Sequence, residues 1–248
     1  MFKMLSKIAN GINKLRRGKV SAIILCAGAS ARFSNGSESK QFATVMGIPV
    51  IIRTIKAFEA SNSISEIILV VRKEDVDNVK RLVCEYNIQK VSCIVIGGET
   101  RQSSALRGFK HVNEKSKLVA IHDGARCLVT PELIEEVIKE ADTHRAATAA
   151  TKITDTIKLA DDDGFIKSTV DREYLWSVQT PQIFEKKLYM TSTYYSKDKG
   201  LIATDDCMLV ENAGFKIKLV ETGKENIKIT VQDDINLANQ ILLSRGEK

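Results

Sequence analysis

Two positive charges follow the first apolar run of the chain, after a loop of small residues. Residues 22–25 are apolar and partly β-branched, which is typical of a strand buried on both faces of a parallel sheet. Gly28 and the three small residues 29–31 keep bulk away from the backbone, so N–H groups could close on an anion while Arg32 and Lys40 supply charge. The loop therefore indicates a phosphate site, although its spacing matches neither the P-loop nor the G-x-G-x-x-G fingerprint. A tight strand-to-helix connection is the alternative.

Two later loops carry charged side chains beside a predicted element. The run Gly-Gly-Glu-Thr-Arg at residues 97–101 precedes a predicted helix, so its free N–H groups and Arg101 suit an anion or the edge of a base. The run His-Asp-Gly-Ala-Arg at residues 122–126 ends a predicted strand, and its Asp123 and Arg126 suit hydroxyl groups and phosphate oxygens. A helix start with an incidental arginine and a surface ion pair are the respective alternatives.

Lys228 stands between Ile227 and Ile229 in a strand-like run. A lysine in such a position extends its amine to water, pairs with an acid or faces a ligand. An edge-strand lysine that discourages aggregation is the alternative. Weaker polar clusters occur at residues 155–156, 171–172, 179–182 and 204–206.

The elements that position these loops alternate along the first 150 residues. Strands are predicted at residues 22–25, 67–71, 94–96 and 118–121. Helices are predicted at residues 50–60, 73–86, 102–112 and 131–141, the last with Thr130 as N-cap and Pro131 at its start. This alternation predicts an α/β fold with a doubly wound, mostly parallel sheet. Ligands bind such sheets beyond the carboxyl ends of the strands, where the charged loops emerge.

After residue 150 the alternation stops. Residues 153–159 and 165–170 read as two strands around an Asp-Asp-Asp-Gly turn, which predicts a β-hairpin outside the main sheet. Something must cover such an excursion, and a partner subunit is the usual cover. Further elements are predicted as helices at 185–195, 204–212 and 233–243, with a strand at 216–221.

The positive charge of the chain is confined to its beginning. Of the net charge of +6 over 248 residues, the first nineteen residues supply all six charges and contain no acid, so the remainder is neutral. This distribution argues against a nucleic-acid-binding surface. Apolar residues at helical spacing predict that residues 1–19 form a basic amphipathic extension, followed by a single domain over residues 20–248. The extension has neither the apolar core of a signal peptide nor the length of a membrane span, so we expect no stable membrane insertion. A surface-docked extension, weak membrane-surface association and a targeting remnant remain alternatives for it.

The cysteines and histidines limit the other functional classes. Five scattered cysteines without a C-x-x-C pair indicate a reducing, cytoplasmic location and neither a disulfide framework nor a zinc site. With three histidines in the chain, a histidine-rich metal site is not expected.

Seven motifs in one order make the chain similar to a known family. They are L-C-A-G-A-S-A-R-F with a later K-Q, G-G-E-T-R-Q-S-S, I-H-D-G-A-R, T-D-T-I-K, D-R-E-Y-L-W-S-V-Q-T-P-Q-I-F, A-T-D-D and N-I-K-I-T. From about Val20 to the C-terminus, the chain closely resembles the 2-C-methyl-D-erythritol 4-phosphate cytidylyltransferases of the non-mevalonate isoprenoid pathway. The resemblance implies a Rossmann-like nucleotidyltransferase sheet with a β-hairpin arm for dimerisation at about residues 152–172.

The resemblance also implies the reaction and its ligands. CTP and the acceptor phosphate would give 4-diphosphocytidyl-2-C-methyl-D-erythritol and pyrophosphate, with Mg²⁺ held mainly by the CTP phosphates and water rather than by protein ligands. Such catalysis rests on positioning and charge neutralisation. The implied catalytic residues are Arg32, Lys40, Arg172 and Lys228. The implied CTP contacts are Ala27, Gly28, Gly98, Glu99, Arg101 and Ser104.

The implied acceptor site draws on two subunits. The family resemblance assigns Asp123, Arg126, Thr180 and Thr204 to the acceptor phosphate side. Thr156 and Arg172 would reach into the site of the neighbouring subunit. A homodimer with a composite active site would therefore cover the exposed hairpin.

Three positions depart from the family pattern, which usually has glycine at Ser30 and proline at Cys127 and Lys152. A side chain at Ser30 would lower the affinity for CTP if its φ is positive. Two alternatives stay open at this point. One is a ribitol-5-phosphate cytidylyltransferase with the same chemistry, against which Gly124, Ala125 and the run D-R-E-Y-L-W speak. The other is a nucleotide-binding homologue that has lost turnover.

Overall fold

A mostly parallel sheet forms the centre of the molecule, in a computed structural model that describes residues 19–28, 33 and 39–247. The strands in these ranges are β1 (Lys19–Cys26), β2 (Thr44–Val45), β3 (Ile48–Pro49), β4 (Ile64–Val71), β5 (Val91–Ile96), β6 (Ser116–Asp123), β7 (Ala146–Lys152), β8 (Ile157–Ala160), β9 (Ile166–Val170), β10 (Trp176–Glu185) and β11 (Lys218–Glu221). One sheet has the order β11-β7-β10-β6-β1-β4-β5. Strand β10 is antiparallel to both neighbours and the other pairings are parallel, so the predicted mostly parallel sheet is confirmed.

Helices cover both faces of this sheet. In the described ranges they are α1 (Val50–Ala60), α2 (Val76–Glu85), α3 (Arg101–Phe109), α4 (Pro131–His144), α5 (Lys186–Asp198), α6 (Asp206–Asn212) and α7 (Asp233–Ser244). Successive strand side chains point to opposite faces, and accordingly Ile24 packs in one apolar cluster with α1, α2 and α4. Its neighbour Ile23 packs in a second cluster with α3, α5 and α6. The predicted doubly wound arrangement is therefore confirmed.

Most predicted elements are present with shifted ends. The predicted helix at 73–86 is a 3₁₀ turn, Lys73–Asp75, followed by α2. Helix α4 begins as predicted, because the Thr130 side chain accepts a hydrogen bond from the Leu133 N–H at 3.2 Å. The predicted helix at 204–212 begins two residues later, where Asp205 is the N-cap.

Two strands of the main sheet were not among the predicted elements. They are β7, which is rich in alanine, and β10, which contains Pro181. The strand predicted around Lys228 is wrong, since residues 224–231 contain no strand. Ile229 is instead buried in a third apolar cluster that includes Val45 and Leu128. Burial in that cluster, not strand pairing, explains the apolar residues on either side of Lys228.

The β-hairpin is present and projects from the main sheet. Strands β8 and β9 pair antiparallel in a sheet of their own, which confirms the predicted excursion, although the first strand begins later than predicted. Phe165 and Ile166 at its tip are 71% and 67% exposed. In a single chain this arm therefore leaves apolar surface uncovered.

The basic N-terminal extension lies outside the described residues except for Lys19, which opens β1. Its predicted amphipathic helix and the boundary with a single domain stay predictions. Among the helices of the described ranges, none is both long and apolar enough to cross a membrane.

Candidate active site

A pocket of about 270 Å³ opens beyond the carboxyl ends of β1 and β6, next to the N-terminus of α3. It is lined by Leu25, Cys26, Ala27, Gly28, Lys40, Gln41, Gly98, Glu99, Thr100, Arg101, Ser104, Asp123, Ala125 and Lys228. Nine predicted site residues are therefore together at the predicted edge of the sheet, namely Ala27, Gly28, Lys40, Gly98, Glu99, Arg101, Ser104, Asp123 and Lys228.

Close backbone packing brings the first two charged loops together. A Cβ on Gly124 would lie 2.2 Å from Cys26 Sγ and 3.2 Å from Leu25 O, so this position requires glycine. The Gly124 N–H donates to Leu25 O at 2.9 Å and continues the sheet pairing beyond the strand end. The Gln41 side-chain amide also donates to Cys26 O. The loops after β1 and β6 are thus fixed to each other on one side of the pocket.

The loop before α3 forms the opposite side of the pocket. Thr100 caps the helix by accepting from the Ser103 N–H at 3.0 Å, while Ser103 Oγ accepts from the Thr100 N–H at 2.9 Å. The Gly98 N–H donates to Ser104 Oγ at 3.0 Å. These bonds fix the loop of residues 98–100 at the edge of the pocket, where the exposed Glu99 is one of the lining residues.

Asp123 is the acidic centre of the pocket. Its Oδ1 accepts from Arg101 Nε at 3.1 Å, and its Oδ2 accepts from Lys228 Nζ at 2.7 Å. Burial by itself would raise the pKa of Asp123, but the charges of Arg101 and Lys228 outweigh it and hold the pKa well below its usual range. Asp123 is therefore ionised at neutral pH, and the ammonium group of Lys228 is held at the pocket wall.

Arg101 makes a second ion pair that the sequence did not reveal. Its Nη1 donates to Asp206 Oδ2 at 2.6 Å, and Asp206 is fully buried at the start of α6. The sequence contains Asp206 in one of the weak polar clusters, but nothing in its spacing connects it with an arginine 105 residues away. The guanidinium is thus shared between two carboxylates.

A buried histidine supports the backbone of Asp123. The Thr180 hydroxyl accepts from the Asp123 N–H at 3.0 Å and lies 3.0 Å from His122 Nδ1. Because the carbonyl oxygen of Arg126 can only accept, the neutral ring carries its proton on His122 Nε2, which donates to Arg126 O at 3.2 Å, and Nδ1 accepts from Thr180. Burial lowers the pKa of His122 to about 3 despite the neighbouring charge of Asp123. His122 is therefore a neutral structural group at physiological pH.

Arg126 and Thr180 lie behind the pocket rather than on its lining. Arg126 Nη1 donates to Asn226 O at 2.8 Å, while its Nε is buried with no acceptor in the described part of the chain. Burial lowers the pKa of this guanidinium. The unsatisfied Nε leaves Arg126 with a donor for a further acceptor.

The remaining predicted residues lie apart from this pocket. Thr156 and Arg172 are exposed at the base of the hairpin, where Arg172 Nη1 donates to Thr154 O. Thr204 is exposed before α6, with its Oγ1 3.7 Å from Met208 Sδ. Arg32, together with the departure at Ser30, lies outside the described residues.

The other two departures from the family pattern have structural explanations. Cys127 is 4% exposed in the third apolar cluster, and burial raises the pKa of its thiol to about 11. It therefore acts as a small neutral core residue. Lys152 ends β7 at the surface, with Nζ 5.4 Å from the centre of the Trp176 ring.

Comparisons with known proteins agree with this geometry. The family model for 2-C-methyl-D-erythritol 4-phosphate cytidylyltransferase matches residues 20–244. A protein of that name from Caldanaerobacter subterraneus subsp. tengcongensis is 45% identical over 224 residues, which cover 90% of this chain and 98% of the relative. Another of that name, from Alkaliphilus oremlandii, is 40% identical over 230 residues, or 92% of this chain and 97% of the relative.

Solved structures give the same result. The crystal structure of 4-diphosphocytidyl-2C-methyl-D-erythritol synthase from Anaerococcus prevotii has a TM-score of 0.81 and 33% identity, and covers 93% of this chain and 99% of its own. That of 2-C-methyl-D-erythritol 4-phosphate cytidylyltransferase from Thermus thermophilus has a TM-score of 0.72 and 28% identity, and covers 92% of this chain and 99% of its own. The chain belongs to the family of 2-C-methyl-D-erythritol 4-phosphate cytidylyltransferases.

Proposed function

We propose that this chain transfers a cytidylyl group from CTP to 2-C-methyl-D-erythritol 4-phosphate, giving 4-diphosphocytidyl-2-C-methyl-D-erythritol and pyrophosphate. Membership of the family supports this activity. The observation that carries it in the structure is the pocket itself. Lys40 and Lys228 lie there with the capped loop of Gly98 and Glu99, beyond the carboxyl ends of parallel strands.

The chemistry requires charge neutralisation and alignment. An oxygen of the acceptor phosphate attacks the α-phosphorus of CTP in line, the new P–O bond forms, and the bond to the β-phosphate oxygen breaks as pyrophosphate leaves. Negative charge builds on the α-phosphate during this step, and a fixed cation stabilises it without reorganising. Lys228 suits this role because Asp123 already holds its ammonium group at the pocket wall. Lys40 and Arg32 would bind the triphosphate.

The two sides of the pocket would bind different parts of the substrates. Backbone groups of Gly98 and the side chains of Glu99 and Ser104 offer donors and acceptors to the cytosine. Asp123 is ionised and accepts hydrogen bonds, so it suits the hydroxyl groups of the acceptor. Arg126, whose Nε has no acceptor within the described residues, would bind the acceptor phosphate, and the family resemblance adds Thr180 and Thr204 to this side of the site.

The exposed residues of the hairpin would complete the site of a second chain. Thr156 and Arg172 lie at the base of an arm whose apolar tip is uncovered in a single chain. A homodimer would cover this tip and deliver Arg172 to the neighbouring pocket. The composite active site is thus part of the proposal.

Mg²⁺ would be held mainly by the phosphates of CTP. Both carboxylate oxygens of Asp123 accept hydrogen bonds from cations, and no group of three His, Cys, Asp or Glu side chains that could hold a metal occurs within the described residues. This donor set fits a hydrated ion bound through phosphate oxygens. When bound there, Mg²⁺ neutralises triphosphate charge and favours departure of pyrophosphate.

The acceptor decides between the related activities. We expect the full-length protein to release pyrophosphate from CTP with 2-C-methyl-D-erythritol 4-phosphate faster than with ribitol 5-phosphate. Faster turnover of ribitol 5-phosphate would replace the proposed acceptor. CTP binding without pyrophosphate release in the presence of either acceptor would mean that turnover has been lost.

The cysteines bear on the cellular location. The five cysteines are scattered and none forms a C-x-x-C pair, a pattern that favours a reducing environment. We propose the cytoplasm on that ground.

A further inference from the structure

A buried phenol lies behind the ion pairs of the pocket. Tyr189 on α5 is fully buried, and its hydroxyl donates to Asp206 Oδ1 at 2.6 Å. Its ring is held by Phe184, with ring centres 5.4 Å apart, and by the edge of Phe109 at 5.0 Å. The hydroxyl group therefore has a fixed position.

Asp206 is fixed from three directions. Its backbone N–H donates to Gln182 Oε1 at 3.0 Å, and Tyr189 occupies its Oδ1. The remaining oxygen, Oδ2, holds Arg101. A rigid buried carboxylate thus sets the position of a guanidinium that also contacts Asp123.

The four charges form a series that ends at the pocket. Asp206, Arg101, Asp123 and Lys228 alternate in sign, with contacts of 2.6, 3.1 and 2.7 Å between successive members. Arg101 is shared between two carboxylates. A stronger pull of Asp206 on the guanidinium therefore weakens its contact with Asp123. Asp123 in turn holds Lys228.

We propose that Tyr189 is a positioning residue for the transfer reaction, acting through Asp206 and Arg101 on the Asp123–Lys228 pair. This inference rests on the proposed function for its kinetic consequence. Without the phenol proton, Asp206 Oδ1 is a buried anionic oxygen that lacks its donor, which is costly. Arg101 is then drawn toward Asp206 and away from Asp123. With less of its charge balanced by Arg101, Asp123 attracts Lys228 more strongly. The ammonium group is then less available to the α-phosphate.

The first test observes Arg101 directly and needs no turnover. The Tyr189→Phe variant keeps the ring packing and removes the hydroxyl, and Tyr194→Phe removes an exposed hydroxyl from the same helix as the matched control. We expect the Arg101 Nε–H resonance in a nitrogen–proton NMR spectrum, assigned with Arg101→Lys, to move in Tyr189→Phe and not in Tyr194→Phe. An unmoved resonance in a folded Tyr189→Phe protein overturns the proposal.

The second test separates positioning from folding. In the pyrophosphate-release assay we expect Tyr189→Phe to lower kcat about tenfold, the effect of weakening one charge-assisted contact, with the KM for CTP changed less than about twofold. In an Asp206→Asn background the same substitution should change kcat less than about twofold, because the carboxylate that it acts through is gone. A full tenfold loss in both backgrounds would show that Tyr189 does not act through Asp206.

The outcomes for the inference and for the proposed function differ. If the wild-type protein releases no pyrophosphate with either acceptor, the proposed function fails, and the Arg101 resonance alone decides whether Tyr189 positions the guanidinium. If the wild type turns over and the resonance moves while kcat is unchanged, the link to Lys228 is wrong. Thermal unfolding of each variant shows whether it is folded.

Discussion

Lys228 is the residue on which the proposed chemistry depends most directly. It is the cation whose amine is held at the pocket by a 2.7 Å contact with Asp123. Replacing it with alanine removes one preorganised charge from the transition state, an effect of roughly 3 kcal/mol, so we expect kcat to fall at least ~100-fold. Steady-state pyrophosphate release measures this.

Lys216→Ala is the matched control for that substitution, since Lys216 is exposed and does not line the pocket. It should retain wild-type kcat. Unchanged kcat in a folded Lys228→Ala protein would remove Lys228 from the catalytic residues.

Buried His122 should make the stability of the fold depend on pH. Its pKa is about 3 in the folded protein and near 6.5 for an ordinary histidine, so between these values the unfolded chain binds a proton that the folded chain does not. The free energy of unfolding must therefore fall as the pH is lowered through this window, by up to about 1.4 kcal/mol per pH unit. We expect urea unfolding between pH 7 and pH 5 to be less pH-dependent for His122→Gln than for the wild type.

The exposed His111 provides the comparison for this experiment. The His111→Gln variant should keep the pH dependence of the wild type. Parallel curves for His122→Gln and the wild type would show that His122 is not the group whose protonation opposes folding at low pH.

The sequence could predict the individual pocket residues better than their partners. Motifs in loops after strands predicted Asp123 and Lys40 as pocket residues, because ligand-binding residues are concentrated in loops beyond the carboxyl ends of parallel strands. The contact of Arg101 with Asp206 could not be found in this way, since it joins positions 105 residues apart on two separate helices. Ion pairs of this type depend on the packing of whole elements.

At the scale of elements, the loops after β1 and β6 are closely packed against each other. A Cβ on Gly124 would meet Cys26 Sγ at 2.2 Å and the Leu25 carbonyl at 3.2 Å, and neither strand end can move without disturbing the sheet. We expect Gly124→Ala to lower the free energy of unfolding by roughly 1–3 kcal/mol, as measured by urea denaturation. The two loops that meet there would also separate, so kcat should fall.

Gly223→Ala is the control for added bulk, because nothing lies within 4 Å of a Cβ at Gly223. Its free energy of unfolding should remain close to that of the wild type. Equal stability of both variants would mean that the loops after β1 and β6 are not closely packed in solution.

The sequence pattern predicted those strands and helices whose own residues favour that secondary structure. Residues 67–71 of β4 are all β-branched or large apolar residues, and this composition was sufficient to predict a strand there. Strand β7, with the sequence Ala-Ala-Thr-Ala-Ala-Thr-Lys, lacks that signal because alanine favours helices, and its pairing with β10 and β11 determines its conformation. In β10, Pro181 argues against a strand, yet the pairing with β7 is interrupted between Val178 and Gln182 and so accommodates it.

At the scale of the whole molecule, the hairpin divides the predicted catalytic residues into two groups. Lys228 lines the pocket of its own chain, whereas Arg172 is exposed at the base of the arm, just after β9. If the arm of one subunit completes the pocket of the other, each pocket takes Lys228 from its own chain and Arg172 from the opposite chain. Lys228→Ala then damages the pocket of its own chain, and Arg172→Ala damages the pocket of the partner. Two inactive variants could then restore one another.

A heterodimer of these two variants tests the composite site. One of its two pockets would combine an intact Lys228 with an intact Arg172 from the opposite subunit, and the other pocket would lack both. We therefore expect a heterodimer purified through two different affinity tags to show about half of the wild-type activity, while each homodimer is nearly inactive. If Arg172 served the pocket of its own chain, each pocket of the heterodimer would lack one residue. A purified heterodimer without recovered activity would thus contradict the composite site, and sedimentation of the wild type as a monomer at assay concentration would contradict the homodimer itself.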